Sequence, residues 1–353
     1  MFLAIKEIKH EKLRYGLIIL MIFLISYLIF MLSSLAVGLA SENTQTIYSW
    51  DAQKVVLNKN SNVSMTQSVL TKRDLKNAKI GKSEAYVGQL GMVVKHKNRD
   101  TASAQFLGIK KDQFIYKEQK LASGRKAKNS DEVTVDSSFK NKGYKLGDKI
   151  KLNGSSKKYK IVGFVNNAKI NIAPIVYGSL STWKKMRMAA PNVVTSAIIS
   201  KNGDYKFNHR NAKTYPINKF ISKLPGYTAQ NMTFELMIGF LFVISLIIIA
   251  VFLYILTMQK MHNFTVMCAQ GIPSKTLVGA TVSQSIILVA IGVIIGLILM
   301  WITSAALPAA VPMSFTPTIM ISGTVGMLVM GVIGSLIPIR SILKVDPAKA
   351  IGE

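Results

Sequence analysis

Residues 17–40 read LIILMIFLISYLIFMLSSLAVGLA and residues 234–258 read FELMIGFLFVISLIIIAVFLYILTM. Each run exceeds the roughly 20 apolar residues with which a helix crosses a ~30 Å hydrocarbon layer. Two further runs, 277–307 and 319–339, do the same. Lipid offers a backbone no hydrogen-bond partner, so a run of this length satisfies its own amides only as a helix. The chain therefore predicts four transmembrane helices: 17–41, 232–258, 277–307 and 318–340. Working outward, 42–231 is a polar domain, 259–276 and 308–317 are connections, and 1–16 and 341–353 flank the whole.

The first run competes with a secretory signal, because a basic leader precedes it and Leu39-Ala40-Ser41 resembles a small-residue cleavage site. A signal core is only ~7–15 residues long. This run is about twice that, so it is read as a retained anchor. Its leader places Phe2, Ile5, Ile8 and Leu13 near helical spacing with charges between them, the pattern of a helix lying in the membrane interface.

Orientation follows Lys and Arg close to the span ends. Lys6, Lys9, Lys12 and Arg14 precede the first span, Lys260 and Lys275 lie in 259–276, and Arg340, Lys344 and Lys349 follow the fourth. The connection 308–317 has none. Both termini are expected in the cytoplasm of a bacterial cell and the 42–231 domain outside it. Of the 44 Lys and Arg, these nine are cytoplasmic, which leaves 35 in the domain against 12 of the 17 acidic residues. Such a domain suits an anionic wall or lipid headgroups, or is simply a solvated lysine coat. An exported domain has no use for nucleic acid. The single cysteine, Cys268, excludes an intrachain disulfide framework.

Inside the domain the pattern shortens to β segments. Lys149-Ile150-Lys151-Leu152 alternates, Asn153-Gly154 is a two-residue turn signal, and 159–165 resumes the apolar pattern, which predicts a hairpin. Runs at 86–94, 104–109, 132–135, 175–177 and 195–199 read as strands, and 179–188 and 217–224 as helices. The fold class is membrane α-helical with an α+β extracellular domain.

Asp131-Glu132-Val133-Thr134-Val135-Asp136, Tyr144-Lys145-Leu146-Gly147-Asp148-Lys149-Ile150 and Tyr159-Lys160-Ile161-Val162-Gly163-Phe164, in that order, resemble the extracellular core of MacB/FtsX-type (type VII) permeases of ABC transporters. In such a family 259–276, with Val266, Met267, Ala269 and Gly271, is the coupling helix that docks on a partner ATPase. The plain alternative is an amphipathic connector packed on the bilayer surface. The tail Val345-Asp346-Pro347-Ala348 resembles the family's ending, although Lys349 stands where an acidic residue is common. Gly81-Lys82-Ser83 is no P-loop, since Lys76 occupies the place of its first glycine. The resemblance implies that ATP is bound and hydrolysed by a separate subunit and that this chain is no enzyme.

Ionisable residues at span ends are costly and point to function. Glu42 closes the first span and Glu235 opens the second. Met31, Leu35, Gly38 and Glu42 share one helix face over ~16 Å. That stripe offers a thioether, a glycine and a carboxylate to a flat amphiphile such as haem, with Met237 and Tyr48 as further candidates. A Met/Leu/Gly stripe is also ordinary helix packing. The segments 1–8, 38–43 and 254–260 resemble the haem-efflux permeases of Gram-positive bacteria. What that implies is two permease copies with two ATPase subunits, haem as cargo rather than cofactor, and Glu42 as its leading ligand. Two alternatives stay open: a mechanotransmission protein of the FtsX type that controls a wall hydrolase, and efflux of another amphiphile, a peptide or a drug.

Overall fold

The computed structural model describes residues 11–97, 99–154, 156–308 and 311–343. Most of the leader, and the tail with Lys349, lie outside the described residues. The chain divides into two units, one of residues Met1–Gly38 with Asn231–Glu353 and one of Leu39–Gln230.

The helices are α1 (Lys12–Ser49), α2 (Phe114–Lys117), α3 (Ser138–Asn141), α4 (Leu180–Met186), α5 (Ile217–Ser222), α6 (Tyr227–Gln259), α7 (Met261–Ala269), α8 (Ser274–Ala306), α9 (Pro317–Gly334) and α10 (Leu336–Ile342). Four segments are long and apolar enough to cross a membrane: α1, α6, α8 and the stretch Pro317–Ile342. The first does not stop at residue 41. It continues as one helix to Ser49, 38 residues in all. Hydropathy marks where the solvent changes, and the helix runs on because its polar residues satisfy themselves.

In the helical unit α1 buries Tyr15, Ile18, Ile22, Ile25 and Ile29, at alternating three- and four-residue spacing. This seam meets Ile249 and Leu253 of α6, Leu288, Val289 and Val293 of α8 and Met327 of α9. Leu17, Leu20, Leu24 and Leu28 point away from the unit. At the α1–α8 contact the backbones approach closely. A Cβ on Gly292 would lie 2.7 Å from Ile22 Cγ2, and one on Gly296 2.5 Å from Ser26 Oγ, the small-residue packing that membrane helices use in place of a hydrophobic drive.

The domain strands are β1 (Lys54–Asn58), β2 (Leu70–Thr71), β3 (Glu84–His96), β4 (Arg99–Ile109), β5 (Leu121–Gly124), β6 (Glu132–Asp136), β7 (Lys149–Leu152), β8 (Lys158–Val165), β9 (Lys169–Ile170), β10 (Ala173–Ser179), β11 (Val193–Thr195), β12 (Ala197–Ser200) and β13 (Ala212–Pro216). The main sheet runs β13-β1-β12-β3-β4-β10-β6-β8-β5. Because β7 pairs with both β3 and β8, the strands β3-β4-β10-β6-β8-β7 close into a ring. Its interior holds Val94, Phe106, Val133, Val135, Ile150, Leu152, Ile161 and Val176. The hairpin read at 149–165 is present, with Ile150 opposite Tyr159. Trp183 of α4 is fully buried against Gly88 and Gly108, which face each other across β3 and β4 on the same face as Phe106 and Val94. A second core, with Val55, Leu57, Val87, Leu107, Ile175 and Ile199, receives Ile47 and Trp50 from the end of α1.

Candidate functional site

The part of α1 that enters the domain, from Leu39 on, carries the leading candidate. Asn43 and Thr44 are buried, and each returns a hydrogen bond to the helix: Asn43 Nδ2 donates to Leu39 O at 2.9 Å and Thr44 Oγ1 to Ala40 O at 2.8 Å. Polar residues thereby continue a helix whose apolar run has ended. Ile47 and Trp50, one turn on, fix the helix end in the sheet core.

Glu42 is not a lone carboxylate at a helix end. Its Oε1 accepts a hydrogen bond from Lys169 Nζ of β9, and the two side chains are only 15% and 19% exposed. The turn that follows β9 is tied to the same stretch, since Asn171 N donates to Asn43 O at 3.1 Å. Asn171 and Ile172 both have positive φ, 53° and 65°. Two left-handed residues form the tightest hairpin turn between β9 and β10, and a β-branched residue there is strained. The sequence reading missed Lys169, one of many lysines. Only its place two residues before a turn, in a strand of two, distinguishes it.

Beside Glu42, Ser41, Gln45 and Tyr48 form the helix wall of a cavity of about 320 Å³, which is also lined by Phe114, Gln119 and Tyr177. Both amide atoms of Gln119 are buried without a hydrogen-bond partner among the described residues. Burial pushes the Tyr177 hydroxyl well above the ordinary phenol range. The cavity is at the small end of the ~300–1,000 Å³ typical of ligand sites. Tyr48, an exposed residue of this lining, is the only one of the candidates among the cavity residues.

The remaining candidates belong to the helical unit. Gly38 is not open to a flat ring. A Cβ there would lie 2.0 Å from Pro312 O, and Ser314 N donates to Ser34 O at 3.0 Å, so the loop before α9 occupies the groove that the stripe reading left free. Met31 packs on the bundle core. Glu235 and Met237 are exposed in the third turn of α6, whose helix begins at Tyr227 rather than at the apolar run.

The four coupling residues divide by role. Val266 and Ala269 are exposed on α7, whereas Met267 packs toward Phe264, Leu277 and Ile342. Gly271, with φ of 88°, ends the helix: its N–H reaches Cys268 O at 3.0 Å and Ile272 N reaches Met267 O at 3.0 Å. This is a Schellman stop with its usual apolar clasp, here between Met267 and Ile272. Met267 and Gly271 thus set the helix, and the outward face is Val266 and Ala269. Beneath α7, Tyr15 is fully buried, and its hydroxyl accepts from Lys260 Nζ at 2.7 Å and from Gln284 Nε2. One phenol therefore joins α1, the entry to α7 and α8.

Residues 235–347 match the family described as FtsX-like permease C-terminal. Over 353 residues, covering 100% of this chain and 99% of the relative, the chain is 28% identical to "Putative hemin transport system permease protein HrtB" of Staphylococcus epidermidis. The same-named protein of Staphylococcus haemolyticus is 27% identical over 361 residues, again covering 100% and 99%. Among solved structures, the periplasmic region of MacB from Actinobacillus actinomycetemcomitans aligns at a TM-score of 0.33 and 16% identity, over 44% of this chain and 76% of that one. These similarities are to permease proteins, and four segments of this chain are long and apolar enough to cross a membrane.

Proposed function

We propose that this permease exports haem from the membrane, driven by a separate ATPase. The full-length similarity to hemin transport permeases supports this reading. The functional unit is two copies of this chain with two ATPase subunits. The α1 leader and α7 are cytoplasmic, and the Leu39–Gln230 unit lies outside the cell. One face of α6 leaves Met237, Phe240, Ile244, Ile247, Val251, Tyr254 and Met258 exposed at alternating three- and four-residue spacing, a seam suited to a second helix. The ATPase docks on the outward face of α7. Movement of α7 passes through the Tyr15 hydroxyl into α1, and an unbroken helix carries tilt to Glu42.

Glu42 supplies the oxygen ligand to haem iron once it leaves Lys169, and the freed ammonium is then available to a haem propionate. Tyr48 and the cavity beside it receive an edge of the amphiphile. Haem is cargo throughout, and ATP binds the partner.

The test is a haemin titration of the permease with its ATPase, followed at the Soret band, for the wild type and Glu42→Ala. A saturable shifted band that weakens in Glu42→Ala is the expected result. Saturable binding unchanged by the substitution moves the ligand elsewhere. No saturable binding removes haem and favours the mechanotransmission reading, to which the anchoring of α1 in the domain core through Ile47 and Trp50 would also be suited.

A further inference from the structure

Lys95, His96, Lys97, Lys149, Lys151 and Lys158 line a hollow of about 380 Å³ on the domain. Strand pairing sets these lysines in register: Lys95 is opposite Lys151, Lys151 is opposite Lys158, and Lys149 is opposite Lys160. The pleat dictates this. Ile150, Leu152, Tyr159 and Ile161 fill the ring interior, so the residues that alternate with them must face out. Directly opposed side chains have Cβ atoms ~4.5–5.5 Å apart, where like charges destabilise the pair. Lys95, Lys97, Lys149, Lys151 and Lys158 are all exposed, and none forms an ion pair among the described residues. Asp148, next to Lys149 in sequence, is taken by Arg99 at 2.7 Å.

The array also sits at one of the two shortest pairings of the ring, the other being β6 with β10. The β3–β7 pairing that closes it consists of two residue pairs, Val94 with Leu152 and Lys95 with Lys151. Repulsion is thus concentrated on the seam, where a bound anion would stabilise most.

We infer that this hollow binds a phosphate polyanion, a linear phosphodiester polymer running across β3, β7 and β8. Lysine ammonium groups are mobile point charges that hold phosphate without the fork geometry of arginine. Three strands spaced ~4.8 Å apart present a row of such charges to successive phosphates. The site is open, so it receives a chain rather than enclosing one small anion. This inference goes beyond haem export and does not depend on it, since the Glu42 site shares none of these residues.

The test uses the full-length permease in neutral detergent, with synthetic poly(glycerol phosphate) of defined length as probe and salt as variable. Saturable binding is expected. The variant Lys95→Gln/Lys151→Gln/Lys158→Gln should lower affinity by tenfold or more and flatten the log–log salt dependence by about 2, at ~0.7 per lost phosphate contact on a flexible chain. The control Lys59→Gln/Lys117→Gln/Lys223→Gln, which removes the same charge from exposed sites elsewhere on the domain, should leave that slope unchanged. The polymer should raise the melting temperature of the wild type and not of the first variant. That variant, relieved of repulsion, should melt no lower than the wild type without polymer, which separates a lost site from a misfolded domain. Equal weakening by both variants would show a response to net charge and overturn the proposal. So would no saturable binding, or binding to anionic phospholipid vesicles without binding to the polymer, which would make a membrane the partner.

Discussion

Through residues 12–38 helix α1 sorts apolar side chains by shape, and through residues 39–49 it disposes of polar ones by hydrogen bonding. In the first stretch isoleucines 18, 22, 25 and 29 are buried while leucines 17, 20, 24 and 28 face outward. β-branched isoleucine is already restricted at χ1 in a helix, so packing costs it little further freedom, and flexible leucine suits a fluid surround. In the second stretch Asn43 and Thr44 are as buried as the isoleucines, and each is satisfied within the helix. The same secondary structure thus persists under two rules, complementarity of shape where no water competes and side-chain bonds returned to the helix by Asn43 and Thr44 where the domain core begins. Two substitutions break the rules separately. Trp183→Ala empties the space over Gly88 and Gly108 and leaves Gln89 O without its 3.1 Å bond from the indole. It should cost the domain ~3–5 kcal/mol, read as faster hydrogen exchange in β3 and β4 with the spans unaffected. Gly292→Leu drives a side chain into Ile22 and the backbone of Phe23. It should cost ~1–3 kcal/mol and reverse the pattern, loosening α1 against α8 with the domain intact. Ile294→Leu, on the exposed side of α8, is the control. Equal tolerance of both would show that the close approach of α1 and α8 does not matter.

Much of this was legible in the sequence, because membrane spans are announced by length and hydropathy alone. The 149–165 hairpin was legible from Asn153-Gly154 between alternating runs. The closure of the ring was not, since it depends on β7 pairing with β3, some 55 positions earlier, through only two residue pairs. Short-range patterns carry no trace of such a contact. Hydropathy marked the span at 17–41 but not the length of its helix, which runs on to Ser49 with the side chains of Asn43 and Thr44 bonded back to it. Gly38 was read as room for a ligand, and Pro312 fills it. Glu42 was legible as unusual, whereas its partner Lys169 was hidden among lysines with the same local pattern.

The domain's rule can be sharpened with acid. Glu132 accepts from Arg125 Nη1 at 2.8 Å and from the backbone N–H groups of Lys128 and Asn129 at 2.8 and 3.2 Å. The Arg125 bond, opposed by burial, lowers its carboxyl from 4.5 to about 2. A carboxyl lowered on folding stabilises the native state fully above its unfolded value, and that contribution is lost as pH falls from 4.5 towards 2. Arg125→Gln should therefore move the acid unfolding midpoint upward within that window and leave stability near neutrality less affected, as circular dichroism against pH would record. A midpoint unchanged by Arg125→Gln would mean that the backbone donors alone hold the charge.

The smallest effect on stability and the sharpest on function is expected at Lys169. Its pair with Glu42 is partly screened, and such pairs contribute at most ~1 kcal/mol, so Lys169→Gln should melt close to the wild type. Its effect on haemin depends on what Glu42 is for. If the carboxylate is the iron ligand and Lys169 is its resting partner, removing the ammonium frees the ligand, and haemin should bind several-fold more tightly without ATP. The double variant Glu42→Gln/Lys169→Gln should then bind as weakly as Glu42→Gln alone, because the gain acts only through the carboxylate. If instead the two residues serve only to fasten β9 to α1, each single substitution should loosen the β9–β10 turn to the same extent, and neither should change the Soret titration. Hydrogen exchange at the Asn171 amide, which is bonded to Asn43 O, reads the fastening directly. The two measurements together distinguish a ligand held in reserve from a bolt.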